Sequence, residues 1–207
     1  MSLAIAGDGS RYRLGIDFAV LVSGSGTNLQ ALIDAGLPGL KVVISDLSEA
    51  AALDRARGSG LPTEVVPYQG DRREFTARIL KVADEYGVEA LVLAGFMRIL
   101  GPEAVDRFPH RILNIHPSLL PAFPGTNAVA RALDRGVKVS GMTIHFVTEG
   151  VDDGPIIFQK AVPVLPGDDE ACLHRRIQEV EHEIYPRVVA SFLRGEIQVE
   201  NGRVVWQ

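Results

Sequence analysis

The chain has 207 residues, a single cysteine and a formal net charge of −5 at pH 7. One cysteine excludes an internal disulfide and suits a reducing compartment. The acidic balance, with no Lys/Arg block interleaved with aromatics, argues against a nucleic-acid surface. Hydrophobic residues make up 46%, the proportion of an ordinary globular chain, and no window reaches the length of a membrane span.

Residues 1–16 are rich in small and polar residues and lack the apolar core of a signal peptide, so they read as a flexible leader. A cytoplasmic location is the default expectation. Residues 17–207 contain no repeat and no low-complexity linker, so one domain is expected over that range.

In chain order, Asp17–Val22 is the first buried-strand candidate. The loop Ser23-Gly24-Ser25-Gly26-Thr27-Asn28 follows, then a helix to about Ala35 with Gly36 as its stop. Leu40–Ile44 reads as a strand, Ala50–Arg57 as a helix and Thr63–Val66 as a short strand. Asp71 opens a helix that reaches Tyr86, with Gly87 as its C-terminal stop. Glu89–Leu93 is a strand, a short helix follows Pro102, and the strand through Arg111-Ile112-Leu113 delivers Asn114. Strand–helix alternation with near-continuous apolar strands predicts a doubly wound, mostly parallel α/β sheet. Ligands in such sheets bind at the C-terminal strand edge, where the loops after Val22 and Ile115 are expected.

The second half differs. Val139–Val147 and Pro155–Val164 are long strand candidates joined by a short turn, which predicts an antiparallel portion. A helix over about Asp169–Leu193 shows an apolar stripe of Leu173, Ile177, Val180, Ile184 and Val188, with a kink expected at Pro186. The tail around Asn201-Gly202 reads as a hairpin. Cys172 lies in the helical pattern and reads as a packed or half-packed thiol.

Three groups of residues carry chemistry. Asn114 and His116 are two apart on a strand, so they share a face. An amide that donates and an imidazole that exchanges a proton suit a carbonyl becoming an oxyanion. A pair that merely satisfies backbone groups at a strand end is the alternative. The glycine loop before a helix suits a phosphate monoester, with Thr27 or Asn28 adding donors, although a bare turn has the same composition. Asp152 or Asp153 supplies the missing carboxylate, which beside His116 would favour the imidazolium. The residues do not rank the two aspartates. Ala94–Leu100 suits either a flat heterocycle pocket or an ordinary buried connection. No histidine spacing suggests a metal, and His145 reads as a hydrogen-bonded core histidine, with His174 and His182 as surface or boundary residues.

Five ordered segments together resemble the phosphoribosylglycinamide formyltransferase family. They are Ser23–Gln30, Leu93–Leu100, Leu113–Pro121, His145–Thr148 through Asp152–Pro155, and Glu181–Pro186. The resemblance implies transfer of a formyl group from 10-formyltetrahydrofolate to the amine of 5-phosphoribosyl-glycinamide in purine biosynthesis, with no metal, nucleic acid or membrane involved. It implies Asn114, His116 and Asp152 as the catalytic set, Asp152 being preferred to Asp153 on this ground. It further implies Gly26, Thr27 and Asn28 as the phosphate cradle and Glu181 at the ribose. The pterin pocket would use Met97, Arg98, Ile99 and Leu100 with Thr148, Glu149, Gly150, Val151 and Asp152. Arg73 would lie near the folate's carboxylate tail. Thr126–Ala130 departs from the histidine-containing version of some relatives. A formyltetrahydrofolate deformylase-like hydrolase and a non-catalytic folate or nucleotide binder are the alternatives, the former usually carrying an additional N-terminal domain. Monomer and homodimer are both open.

Overall fold

The computed structural model describes residues 15–207, so residues 1–14 of the expected leader lie outside the described residues. Five parallel strands come first: β1 (Phe18–Val22), β2 (Leu40–Ser45), β3 (Thr63–Val65), β4 (Ala90–Leu93) and β5 (Ile112–His116). β6 (Val139–Phe146) runs antiparallel to β5, and β7 (Ile156–Pro163) antiparallel to β6. The sheet order is β3-β2-β1-β4-β5-β6-β7. The order reverses between β1 and β4, so the loops leaving these two strands diverge and open a crevice.

Among the described residues six helices cover the sheet: α1 (Thr27–Asp34), α2 (Ala51–Gly58), α3 (Arg72–Glu85), α4 (Pro102–Arg107), α5 (Ala128–Asp134) and α6 (Glu170–Leu193). Every residue of β1 is buried. Phe18, Val20 and Val22 join the core shared with α1, α2, α5 and α6, while Ala19 and Leu21 join the core shared with α3 and α4. Strands covered on both faces need apolar residues at every position, which is why they read as continuous runs. A small hairpin of β8 (Ile197–Glu200) and β9 (Arg203–Trp206) closes the chain. Its turn places Asn201 and Gly202 at φ 50° and 74°, the left-handed pair that a two-residue hairpin favours.

Helix ends follow their caps. Asp71 accepts from the Glu74 amide at 2.8 Å at the start of α3, and Asp169 accepts from the Cys172 amide at 2.7 Å at the start of α6. Two expectations need correction. Cys172 is exposed, because the first turn of α6 presents it to solvent. The α6 stripe is also shifted: Leu173, Ile177 and Val188 are buried, but Val180 and Ile184 only pack at its margin. Its buried centre consists of Glu181 and Tyr185, which continue the four-residue step from Ile177. Tyr185 donates its hydroxyl proton to the Leu93 carbonyl at 2.8 Å and so satisfies itself inside the core. Pro186 lies buried within this one continuous helix.

Helix α5 was not legible in the sequence. It starts after a left-handed Asn127 with no side-chain cap, so the usual start signal is missing. No helix of the described residues is long and apolar enough to cross a membrane.

Candidate active site

Alternation on β5 sends Leu113 and Ile115 to the α6 side and Ile112 to the α3–α4 side. Asn114 and His116 therefore project to the α3–α4 side. The apolar core there takes Ile112 from β5 and no residue from β6. A polar strip replaces it: Asn114 pairs with His145 of β6, and His116 with Thr143. Residues directly opposite in an antiparallel pair share a face, so all four point the same way.

Two loops reach over this strip. Residues 117–127 leave the C-terminal end of β5. Thr143 Oγ1 donates to the Ser118 carbonyl at 2.7 Å and accepts from the Leu120 amide at 3.0 Å, pinning the first turn. Phe123 then holds a left-handed φ of 55° and presents its carbonyl to His116 Nε2 at 2.9 Å. The second loop, 147–155, comes from the opposite direction. The antiparallel register sets Phe146 beside Leu113, and the Val147 amide donates to the Ile112 carbonyl at 2.8 Å. The chain thus leaves β6 at the foot of β5 and doubles back toward Asn114.

That return delivers Asp152, at φ 53°. Its Oδ2 lies 3.2 Å from His116 Nδ1 and accepts from the Gly125 amide at 2.7 Å. Its Oδ1 lies 3.4 Å from Asn114 Nδ2 and 3.5 Å from His145 Nε2. Asn114 Nδ2 also meets His145 Nε2 at 3.2 Å. Asp153 points elsewhere, accepting from the Thr148 hydroxyl within its own turn. The geometry accordingly separates the two aspartates: one joins the histidines, the other stabilises its loop.

Protonation follows from these contacts. Burial works against the Asp152 carboxylate, but hydrogen bonds from His145 and the Gly125 amide, together with the His116 charge, outweigh it and hold the pKa at about 2. Burial pushes the His116 imidazole below its ordinary value, against the Phe123 carbonyl and Asp152, which both favour the cation. The expected effect of the carboxylate is present, yet desolvation wins, so the net shift is opposite to the sequence expectation. The His116 ring lies between two acceptors, Phe123 O and Asp152. It satisfies both only when it carries both protons. His145 was missed as a member of this cluster. Its Nδ1 faces the Phe146 carbonyl at 2.9 Å, so Nδ1 carries a proton and Nε2 is turned to Asn114 and Asp152. Only strand pairing reveals this; no spacing in the sequence does.

The glycine loop lies at the other side of the crevice. Gly26 has φ 72°, and a Cβ there would fall 2.6 Å from Ala52 Cβ, so glycine is what lets α1 start against α2. Thr27 is half-buried at the first helical position. Asn28 is buried and donates to Glu181 Oε2 at 2.8 Å, which leaves its own Oδ1 buried without a partner. Burial pushes the Glu181 carboxyl up, against the Asn28 amide. A cavity of about 400 Å³ borders this loop, lined by Ser23, Gly24, Ser25, Leu47, Ser48 and Ala50 among others. It adjoins the cradle, not the histidine cluster.

Residues 16–189 match the formyl transferase family. The chain superposes on glycinamide ribonucleotide transformylase 1 from Symbiobacterium toebii with a TM-score of 0.91 and 46% identity, covering 98% of this chain and 99% of that one. The chain belongs to the phosphoribosylglycinamide formyltransferases. A relative from Escherichia coli (strain K12), named phosphoribosylglycinamide formyltransferase, is 41% identical over 89% of this chain and 90% of its own length. The human trifunctional purine biosynthetic protein adenosine-3 is 45% identical over 91% of this chain, which spans only 19% of that protein.

In this formyltransferase the remaining expected residues divide between the crevice and its supports. Met97 and Ile99 are 66% and 51% exposed, apolar side chains left facing outward beside the glycine loop. Leu100 is buried in the core with α3 and α4, and its carbonyl accepts from Arg72 Nε at 3.0 Å. The Arg98 guanidinium is drawn to buried Asp46 at 2.7 Å and stacks on Tyr68 at 4.9 Å. Thr148, Glu149, Gly150 and Val151 belong to the loop that carries Asp152, with Val151 49% exposed. Arg73 is exposed in the first turn of α3 and pairs with Glu103 at 3.2 Å. Among the described residues no group of three or more His, Cys, Asp or Glu is arranged to hold a metal ion.

Proposed function

We propose that this chain moves the formyl group of 10-formyltetrahydrofolate onto the amine of 5-phosphoribosyl-glycinamide, with residues 17–207 acting as one domain. The observation that carries the reading is the meeting of Asn114 and His116 of β5 with Asp152 of a distant loop, the carboxylate lying 3.4 Å from the amide and 3.2 Å from the imidazole. We place the reaction in the cytoplasm, as the lone reduced cysteine suits, with the chain acting as a monomer or homodimer.

The acceptor enters through its phosphate at Gly26, Thr27 and Asn28, with Glu181 at the ribose. The unpartnered Asn28 Oδ1 and the buried Glu181 carboxyl support this, because buried polar groups that are not fully satisfied gain most from a polar ligand. The folate lies against Met97, Ile99 and the Thr148–Asp152 loop, reading backbone at Arg98 and Leu100, with Arg73 toward its carboxylate tail. The amine nitrogen attacks the formyl carbon, and the carbonyl electrons move to oxygen. Asn114 Nδ2 donates to Asp152 only at a long 3.4 Å, so an amide hydrogen is available to the developing oxyanion.

The attacking nitrogen must then lose a proton. A carboxyl with a pKa of about 2 is a poor terminal base at neutral pH. Asp152 instead remains an anion that stabilises the cationic nitrogen and steers His116. The neutral imidazole takes the proton, and doing so completes its second hydrogen bond. The tetrahedral intermediate collapses as the carbon–N10 bond breaks. N10 leaves with the proton that His116 returns, giving formylated ribonucleotide and tetrahydrofolate. No covalent enzyme intermediate is needed.

The test mixes purified chain with both substrates and follows tetrahydrofolate. Release that requires the ribonucleotide supports transfer. Equal release without it means hydrolysis, and binding of both ligands with no turnover means a binder.

A further inference from the structure

We propose that Ser23 is a positioning residue that couples the acceptor's phosphate loop to the folate pocket, so that filling one site tightens the other. This rests on the two-substrate reading above. Ser23 follows the last residue of β1 and begins the glycine loop, and it is buried. Its amide donates to the Gly95 carbonyl at 3.1 Å, and its hydroxyl oxygen accepts from the Met97 amide at 2.8 Å. These two bonds cross the crevice at the switch point. They connect the loop that leaves β1 to the loop that leaves β4.

Each loop is otherwise fastened to different supports. On the acceptor side the Ala52 amide donates to the Gly24 carbonyl at 3.1 Å, and Arg55 Nε donates to the Ser25 carbonyl at 2.8 Å. On the folate side Arg98 is held by Asp46, the Leu100 carbonyl by Arg72, and the Gly101 amide by Thr76 Oγ1 at 2.7 Å. With these anchors in place Met97 and Ile99 remain exposed. Met97 is thus an exposed apolar side chain whose amide hangs on a buried hydroxyl of the opposite loop. A phosphate that orders residues 24–28 also fixes Ser23, and through it the position of Met97. Coupling of this kind is reciprocal: whatever factor the ribonucleotide confers on folate binding, folate confers on the ribonucleotide.

Tetrahydrofolate carries no formyl group, so it and 5-phosphoribosyl-glycinamide bind together without reacting. The experiment titrates tetrahydrofolate with and without saturating ribonucleotide and takes the ratio of the two dissociation constants. The ratio is expected to be roughly five-fold or more in the native chain, within the usual span of site-to-site coupling, and to fall toward one in Ser23→Ala while each ligand still binds alone. A native ratio of one, or a native ratio retained by Ser23→Ala, overturns the coupling. If Ser23→Ala does not fold, hydrogen exchange in the native chain decides: the Met97 amide should exchange several-fold more slowly when ribonucleotide alone is added, and an unchanged rate overturns the proposal. Failure of the ribonucleotide to bind at all overturns the acceptor assignment itself, a result distinct from two ligands that bind independently.

Discussion

The histidine cluster and the Asn28–Glu181 pair are both polar sites set into apolar surroundings, but they are satisfied in different ways. In the cluster the two histidines, the amide and Asp152 contact one another and two backbone groups of the 117–127 loop, so its groups are held in place without any ligand. In the pair one hydrogen bond joins two buried side chains and an amide oxygen remains unpartnered. On the proposed function, the difference is a division of labour. Preorganised groups are where developing charge is stabilised, because their reorganisation has been completed during folding. Under-satisfied groups are where binding has most to gain, because a ligand can supply the missing partner.

The largest test of this contrast is the cluster. Asn114→Ala should lower kcat roughly 10²–10³-fold, and His116→Ala by a comparable factor of about 10²–10⁴. Affinity for the ribonucleotide should change little in both. A loss carried by KM for the ribonucleotide instead would erase the distinction between the two regions.

The acceptor loop should respond in stability as well as binding. Gly26→Ala forces a side chain into a left-handed φ and against Ala52, so urea unfolding should register a loss of about 1–3 kcal/mol. Ribonucleotide binding should weaken in step. Glu181→Leu strands the buried Asn28 amide and should cost about 1–3 kcal/mol by the same measurement, whereas Glu181→Gln keeps an acceptor there and should cost less. Equal stability of the Leu and Gln variants would contradict the role given to the Asn28 bond.

The smallest effects are in titration. By NMR the His116 ring should titrate below an ordinary imidazole, and lower still in Asp152→Asn, which removes an anion that favours the cation. The signs for stability follow. The His116 pKa is lower folded than unfolded, so its contribution is fully present above the ordinary imidazole range and is lost as pH falls through that range. Asp152 is also lowered, so its contribution is present above pH 3.8 and is lost as pH falls toward about 2. A His116 resonance that titrates above the ordinary value would show that the two acceptors outweigh burial after all.

Much of this molecule was legible before its coordinates. The strands from β1 to β7 and the hairpin stand within a residue or two of their expected places, because apolar runs bounded by glycine, proline and cap residues are local signals. Asn114 and His116 share the face that a two-residue step requires. Helix α5 escaped because its start has no capping side chain. The α6 stripe was misplaced because hydrophobic periodicity passes over a buried Glu and Tyr that hydrogen bonds make tolerable.

By itself the chain determined which segments become strands and helices, and which residue types could handle an oxyanion, a proton and a phosphate. Only the tertiary structure decided that His145 joins the cluster, that Asp152 arrives from the far end of β6, and that burial outweighs the carboxylate at His116. The reason is physical. Propensity and side-chain periodicity act over a few residues, whereas strand register, desolvation and charge pairing depend on neighbours that are distant in the chain and become adjacent only when the sheet assembles.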